Sequence, residues 1–159
     1  MLKTILATHA PAPVLLVRIM VGTVFLSEGI QKFLYPASVG AGRFESIGLP
    51  SPEFLAVFVA CFEIVCGVLI VFGLLTRLAA IPTLIIMIVA IVTTKIPLLL
   101  GHAYWGLSLR DASEYGFWTM AHEMRTDWAM LLGSLFLILV GGGRWSLDAK
   151  LARPAGEST

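Results

Sequence analysis

Long runs of apolar residues alternate with short polar segments along this chain. Four runs stand out, and they predict membrane-spanning helices at residues 14–35, 54–75, 78–100 and 118–140. A helix of about 20 apolar residues crosses the hydrocarbon layer of a bilayer, and each run reaches that length. The pattern therefore predicts an all-α fold, a membrane-spanning bundle of four helices.

The polar segments between the runs predict how the spans are connected. Thr76 and Arg77 form the whole turn between the second and third spans, so those spans should be antiparallel neighbours. The glycines and prolines of residues 36–52 are typical of a loop, and Gly141–Gly143 should end the fourth span. We expect one up-and-down domain over residues 1–159, with a short tail at 144–159.

The composition excludes a soluble protein. Hydrophobic residues make up 58% of the 159 positions, charged residues only 13%, and the mean hydropathy is +0.91. Soluble domains have roughly 45–50% apolar and about 25% charged residues. The net charge of +1 gives no field that would attract nucleic acid, so the lipid bilayer is the expected environment.

The basic residues of the connecting segments predict the orientation. An even number of spans places both termini on one side of the membrane. That side would carry Lys3, Arg77, Arg144, Lys150 and Arg153, against Arg43, Lys95, Arg110 and Arg125 on the other side. By a small margin, the count favours both termini in the cytoplasm, with the chain in a bacterial cytoplasmic membrane. The first span carries charges that a cleaved signal peptide lacks, so it should be retained.

Charged residues inside the apolar runs indicate where the chemistry lies. A charge at the bilayer centre costs about 2.5–3.5 kcal/mol, so such residues should face one another inside the bundle. Glu28 and Lys32 are four apart and share one helix face, with Arg18 on roughly the same side. Glu63 has no basic residue within reach on its own helix. It should face Arg18 or Lys32, or else be protonated.

Further charged residues fall in the same half of the predicted bundle as Glu28 and Lys32. They are Lys95 in the third span and the cluster Glu123, Arg125 and Asp127 near the start of the fourth. Together these residues could line one polar cavity for a small polar or quinone-like molecule. The alternative is that they form interhelical ion pairs that only fix the register of the helices.

The sequence predicts no bound metal and no haem. His102, His122 and Glu123 are suitable ligand types, but their spacing matches no metal motif. Gly-rich phosphate loops, Ser/His/Asp candidates and haem or iron–sulfur cysteine patterns are also absent from the sequence.

Four motifs in order resemble the DoxX family of small bacterial membrane proteins, over about residues 15–149. The first span, LLVRIMVGTVFLSEGIQKF, matches the family pattern R-x-x-x-G-x-x-F-x-x-x-G-x-x-K. The others are FESIGLP at 44–50, the run EIVCGVLIVFGLLTRLAA beginning at Glu63, and GGGRWSLD at 141–148, which an acid at Asp127 precedes. The chain departs from many relatives in having Cys66–Gly67 for G-G and Gly141–Gly143 for G-P-G.

The family is named for a subunit associated with thiosulfate:quinone oxidoreductase, so the resemblance implies a quinone-linked oxidoreductase subunit or accessory, with quinone as the candidate cofactor. In that hypothesis Arg18, Lys32 and Asp127 bind the substrate, and Glu63 and Glu28 are the catalytic carboxylates, Glu63 as the proton relay. The alternatives are a non-catalytic module that recruits a soluble or membrane redox partner, and a transporter of small molecules. A homo-oligomer is a further expectation.

Overall fold

The computed structural model describes residues 10–152. The α-helices of this part of the chain are α1 (Val14–Leu34), α2 (Ala41–Ile47), α3 (Pro52–Phe72), α4 (Thr76–Ala90), α5 (Ile96–Leu100), α6 (Phe117–Glu123), α7 (Arg125–Val140) and α8 (Leu147–Ala152). A π-helical turn, Ile91–Lys95, joins α4 to α5 without a break. Lys3 and Arg153, which the orientation argument used, lie outside the described residues.

Three helical segments are long and apolar enough to cross a membrane. They are Val14–Leu34, Pro52–Phe72 and the continuous segment Thr76–Leu100. Large apolar side chains cover their outer faces; Leu16 and Phe54, for example, are 69% and 68% exposed. Hydrocarbon is the solvent for such surfaces. The prediction of an all-α membrane protein is confirmed.

The region of the predicted fourth span consists of two helices. The backbone turns at Met124, so that α6 and α7 have only 7 and 16 residues. Neither reaches the length of about 20 residues that spans a bilayer unaided. The main apolar helix of this region, α7, packs against α4 and also contacts α1. Thr83 of α4 donates a hydrogen bond to Ser134 of α7 at 3.0 Å.

The closest helix contact is between α1 and α3, and glycines make it possible. A Cβ atom on Gly22 would lie 2.8 Å from the carbonyl oxygen of Gly67, and one on Gly67 would lie 2.8 Å from that of Gly22. Small residues allow membrane helices to approach until their backbones touch. The buried side chains of Val21, Phe25 and Ile70 fill the core beside this contact.

A residue that is distant in sequence stabilises the turn between α3 and α4. Gly73 ends α3 in the left-handed conformation, with φ of +68°. Leu75 precedes α4 and offers no side-chain acceptor for its first N–H groups. Asp148 of α8 supplies the acceptors: its carboxylate takes hydrogen bonds from Leu75 N at 2.7 Å and from Thr76 N and Oγ1 at 2.9 and 2.8 Å. The predicted C-terminal tail therefore includes a helix that is tied to the bundle.

Replacing Asp148 with alanine should destabilise the protein. The change leaves two buried N–H groups and one hydroxyl without their acceptor, and hydrogen bonds to charged groups contribute about 1.5–3 kcal/mol each. We expect the free energy of unfolding to fall by roughly 2–4 kcal/mol, measured by sodium dodecyl sulfate titration in mixed micelles with circular dichroism. Asp111→Ala, in the exposed loop before α6, is the control and should change little; an equal loss in both variants would contradict the role of Asp148.

Candidate site: a cavity between two acid–lysine clusters

A cavity of about 520 Å³ lies between α1, α3, α4 and α7, and α2 covers one side of it. Its apolar wall includes Phe25, Phe44, Phe58, Val59, Ile86, Met87 and Met130. Four ionisable residues of the predicted site line it as well: Glu28, Lys32, Glu63 and Asp127. An apolar cavity with a few convergent polar groups is the usual form of a small-molecule site.

Lys32 of α1 and Glu63 of α3 form a buried ion pair in this wall. Lys32 Nζ lies 2.9 Å from Glu63 Oε1 and 2.7 Å from Oε2. The side chains are only 9% and 3% exposed. The pair forms because α1 and α3 pack backbone to backbone at their glycines, one of which, Gly29, lies directly beside Glu63. The expectation that Glu63 faces a basic residue of the first span is confirmed, and the partner is Lys32.

Glu28 connects this buried pair to the surface. Its carboxylate lies one helical turn before Lys32, with Oε2 3.9 Å from Nζ, and its side chain is 48% exposed. Glu63, Lys32 and Glu28 therefore form a row of three ionisable groups from the protein interior to its exterior. We call this row the α1–α3 cluster.

A second cluster consists of Lys95 of the π-helical turn, Glu123 of α6 and Asp127 of α7. Lys95 Nζ lies 3.2 Å from Asp127 Oδ2 and 3.8 Å from Glu123 Oε2, and the Lys95 side chain is 9% exposed. Arg110 in the preceding loop extends it, since its Nη1 donates to Glu123 Oε2 at 3.2 Å. Asp127 lines the cavity from this cluster.

The backbone beside Lys95 explains how this lysine enters the interior. Pro97 has no N–H to donate to the carbonyl four residues earlier, and its ring crowds that carbonyl. The helix widens there into the π-turn, in which Ile96 N donates to the Ile91 carbonyl five residues back. Thr93 and Thr94 each donate their hydroxyl to a carbonyl four residues earlier, at 2.8 and 2.6 Å. Such turns are frequent at functional sites.

Arg18 does not belong to the cavity, so the expectation of one shared site for all five residues is wrong. Its guanidinium donates to four backbone carbonyl groups at the other end of α1: Ile70 at 2.9 Å, Val71 at 2.5 Å, Gly142 at 3.1 Å and Trp145 at 2.7 Å. The last carbonyl groups of a helix receive no hydrogen bond from N–H groups of that helix. The planar guanidinium group has five N–H donors and can satisfy several of these carbonyl groups at once. Arg18 is a structural residue that joins α3 to the segment after α7.

Two residues of these networks were missing from the sequence-based site. Lys95 was expected to line the cavity but was given no role; it does not line the cavity and instead pairs with Asp127, which does. Only the unusual Pro97 within an apolar run pointed to its special backbone. Asp148 had no role in the predicted site, although it ends the motif GGGRWSLD that is part of the family resemblance. Among residues 10–152 there is no group of three His, Cys, Asp or Glu residues that could hold a metal ion.

Comparison with known proteins agrees with the motifs. The profile of the DoxX family matches residues 13–96. The chain is 50% identical to "Uncharacterized membrane protein Rv3486" of Mycobacterium tuberculosis (strain ATCC 25618 / H37Rv) over 151 residues, which cover 95% of this chain and 88% of that protein. This chain belongs to the DoxX family. It is also 32% identical over 136 residues, 84% of this chain and 83% of the relative, to "Putative oxidoreductase CatD" of Bacillus subtilis (strain 168). No solved structure matches the chain.

The DoxX match contains the α1–α3 cluster and Lys95, whereas Asp127 lies beyond its last residue. In this DoxX protein the glycines of the family pattern, Gly22 and Gly29, are the positions at which α1 touches α3. The family pattern R-x-x-x-G-x-x-F-x-x-x-G-x-x-K thus places Lys32 opposite Glu63 by close helix packing.

The Lys32–Glu63 pair should show strong thermodynamic coupling. Removing one partner of a buried ion pair leaves an uncompensated charge and costs about 3–5 kcal/mol, whereas removing both is much less costly. We expect Lys32→Met to lower the free energy of unfolding by that amount, and Lys32→Met with Glu63→Gln to recover most of the loss. Denaturant titration in micelles measures both. Glu28→Gln is the control and should cost under about 1 kcal/mol because Glu28 is half-exposed. If the losses of Lys32→Met alone and Glu63→Gln alone simply add up in the double variant, the two residues are not coupled.

Arg18→Lys should destabilise the protein although it keeps the charge. One ammonium group has three donors and cannot reproduce the planar array that reaches carbonyls on two segments. The expected decrease in the free energy of unfolding is about 2–3 kcal/mol. The same conservative change at the exposed Arg43 should have almost no effect. Wild-type stability of Arg18→Lys would refute the structural role.

Proposed function

We propose that this chain is the membrane subunit of a quinone-linked oxidoreductase and that its cavity binds the quinone head group. The observation that carries the proposal is the cavity itself, which combines a mainly apolar wall with the buried Lys32–Glu63 pair. Further support comes from the relative whose name includes the word oxidoreductase and from the resemblance to a family named for a thiosulfate:quinone oxidoreductase subunit.

The residues of the cavity fit a quinone. A volume of about 520 Å³ is within the range of roughly 300–1,000 Å³ that small-molecule sites occupy. The ring needs flat apolar surfaces, which Phe25, Phe44 and Phe58 offer. The ring oxygens need hydrogen-bond donors in an otherwise dry site, and Lys32 has three N–H groups. Glu63 Oε2 contacts Lys32 Nζ at 2.7 Å and has no further partner in the described part of the chain, so it can also accept from a ligand hydroxyl.

The α1–α3 cluster has the arrangement needed to move protons. Conversion of a quinone to a quinol takes up two electrons and two protons, and a bound quinone supplies the electron-accepting chemistry. Glu63 is the carboxylate at the cavity wall, and Lys32, which pairs with it, would also donate to a ligand oxygen. Glu28, which is half-exposed, would connect the pair to the outside for proton exchange. Each group is within one side-chain movement of the next, as proton transfer requires.

In the proposed site, Asp127 and Lys95 lie across the cavity from the α1–α3 cluster. Asp127 lines the cavity, and Lys95 lies behind it. In the proposal, Asp127 would accept a hydrogen bond from a ligand hydroxyl, and Lys95 forms an ion pair with this acid. A quinone ring has an oxygen atom at each end, and contacts of both oxygens with the two clusters would restrict the orientation of the ring. Such restriction lowers the entropic part of a reaction barrier.

The electrons come from a separate redox partner in this proposal. The sequence has no motif for a tightly bound redox centre, and by the family resemblance the partner oxidises an inorganic sulfur compound such as thiosulfate. The subunit then anchors that partner at the bilayer and delivers its electrons to the quinone pool. Recruitment of a redox partner and electron delivery are therefore two functions of one assembly.

Four spans in up-and-down order complete the proposal, with α6 and α7 together as the fourth. Both termini would lie in the bacterial cytoplasm. Contacts at one end support this order: Arg18 of α1 donates to Trp145, and Asp148 of α8 binds the turn before α4. The end opposite this one carries Lys32 and Lys95, so the cavity would open towards the outer half of the membrane.

Binding of decylubiquinone to protein in nanodiscs tests this function. Glu63→Gln and Asp127→Asn should each weaken binding by roughly tenfold, because each removes a charge-assisted hydrogen bond of about 1.5–3 kcal/mol. Quenching of tryptophan fluorescence measures the dissociation constant. Arg125→Gln, an exposed change close to the same cluster, is the matched control. Unchanged affinity of folded Glu63→Gln would eliminate the quinone site.

A further inference from the structure

A second depression lies at the other end of the molecule, where Arg18 joins α3 to the segment before α8. This groove of about 460 Å³ is lined by Arg18, Val71, Phe72, Arg144, Trp145, Ser146, Leu147 and Lys150. It shares no lining residue with the cavity that binds the proposed quinone. Its chemistry therefore calls for a separate explanation.

The groove carries an excess of positive charge. Arg18, Arg144 and Lys150 line it, and no acidic residue does. The nearest acid in sequence, Asp148, is buried and directs both carboxylate oxygens to Leu75 and Thr76. Within residues 10–152, neither Arg144 nor Lys150 has a carboxylate within salt-bridge distance. One buried acid can balance Arg18, so among the described residues Arg144 and Lys150 contribute two exposed cations with no acid to balance them.

The remaining wall of the groove is apolar and continues onto the membrane-facing surface. Val71 and Phe72 form the last turn of α3, and Phe72 is 60% exposed on the outside of a predicted span. Trp145 is 67% exposed beside the two cations. An indole ring at the end of a membrane helix normally lies at the level of the lipid headgroups.

We propose that this groove binds an anionic glycerophospholipid, such as phosphatidylglycerol. Arg144 and Lys150 contact the headgroup phosphate, and the first carbons of an acyl chain lie along Phe72 and Val71. A free phosphate ion would use the cations but leave the apolar wall exposed. A zwitterionic lipid would use the wall but bring its own cation next to the two basic residues. The combination of charges and apolar surface matches an anionic lipid best.

Native mass spectrometry of the detergent-solubilised full chain tests the assignment with three probes: dioctanoyl phosphatidylglycerol, dioctanoyl phosphatidylcholine and inorganic phosphate. The wild type should bind the glycerol lipid about tenfold or more tightly than the choline lipid, and phosphate only weakly. Arg144→Gln with Lys150→Gln should weaken binding of phosphatidylglycerol by roughly 10- to 30-fold, because each basic residue near an anionic headgroup contributes about a factor of five.

Two controls locate the effect. Arg43→Gln with Arg125→Gln removes the same charge away from the groove and should keep the lipid preference. Arg144→Lys with Lys150→Arg keeps the charge and should keep most of the affinity. Both altered side chains are exposed, and melting temperatures verify that each variant is folded. The proposal is overturned by equal affinity for the two lipids, by equal losses in the two neutralised variants, or by phosphate that binds as tightly as the lipid.

Discussion

Hydrocarbon offers no hydrogen bonds, so every charge that enters it must find a partner within the protein. This constraint organises the whole structure. Lys32 of α1 meets Glu63 of α3, Lys95 of the π-helical turn meets Asp127 of α7, and Arg18 donates to carbonyls of two segments. Each pairing ties together elements that are distant in sequence, so the same contacts that satisfy the charges also fix which helices are neighbours.

The charges have separate tasks at the two ends of the molecule. At the Arg18 end they satisfy backbone groups: Arg18 binds the last carbonyls of α3, and Asp148 binds the first N–H groups of α4. At the other end the charges pair with one another, and four of them, Glu28, Lys32, Glu63 and Asp127, line a cavity. The backbone contacts at the Arg18 end tie α1, α3, α4 and α8 together at one end of the bundle.

The sequence was sufficient to predict the membrane class, the main helices and the pairing of Glu63 with the first span, because each follows from local hydropathy or from the cost of burying a charge. It also placed Lys95 and Asp127 in the same half of the molecule. The position of Arg18 was predicted wrongly. Ten residues of helix place it about 15 Å along the axis from Glu28, and its partners are backbone carbonyl groups, which the sequence does not distinguish. The role of Asp148 was missed because two of its three donors are backbone N–H groups, which are the same at every position of a sequence. The break at Met124 has no Pro or Gly to mark it.

Photoaffinity labelling with an azido-substituted quinone, followed by mass spectrometry of the labelled peptides, tests most directly whether the paired charges serve a binding site. The label should attach to residues of the cavity wall on both α1 and α3, such as Phe25, Phe58 and Val59, and excess decylubiquinone should prevent the attachment. Labelling confined to membrane-facing residues such as Leu16 and Leu139, with no protection by the competitor, would show that the charge clusters only hold the helices together.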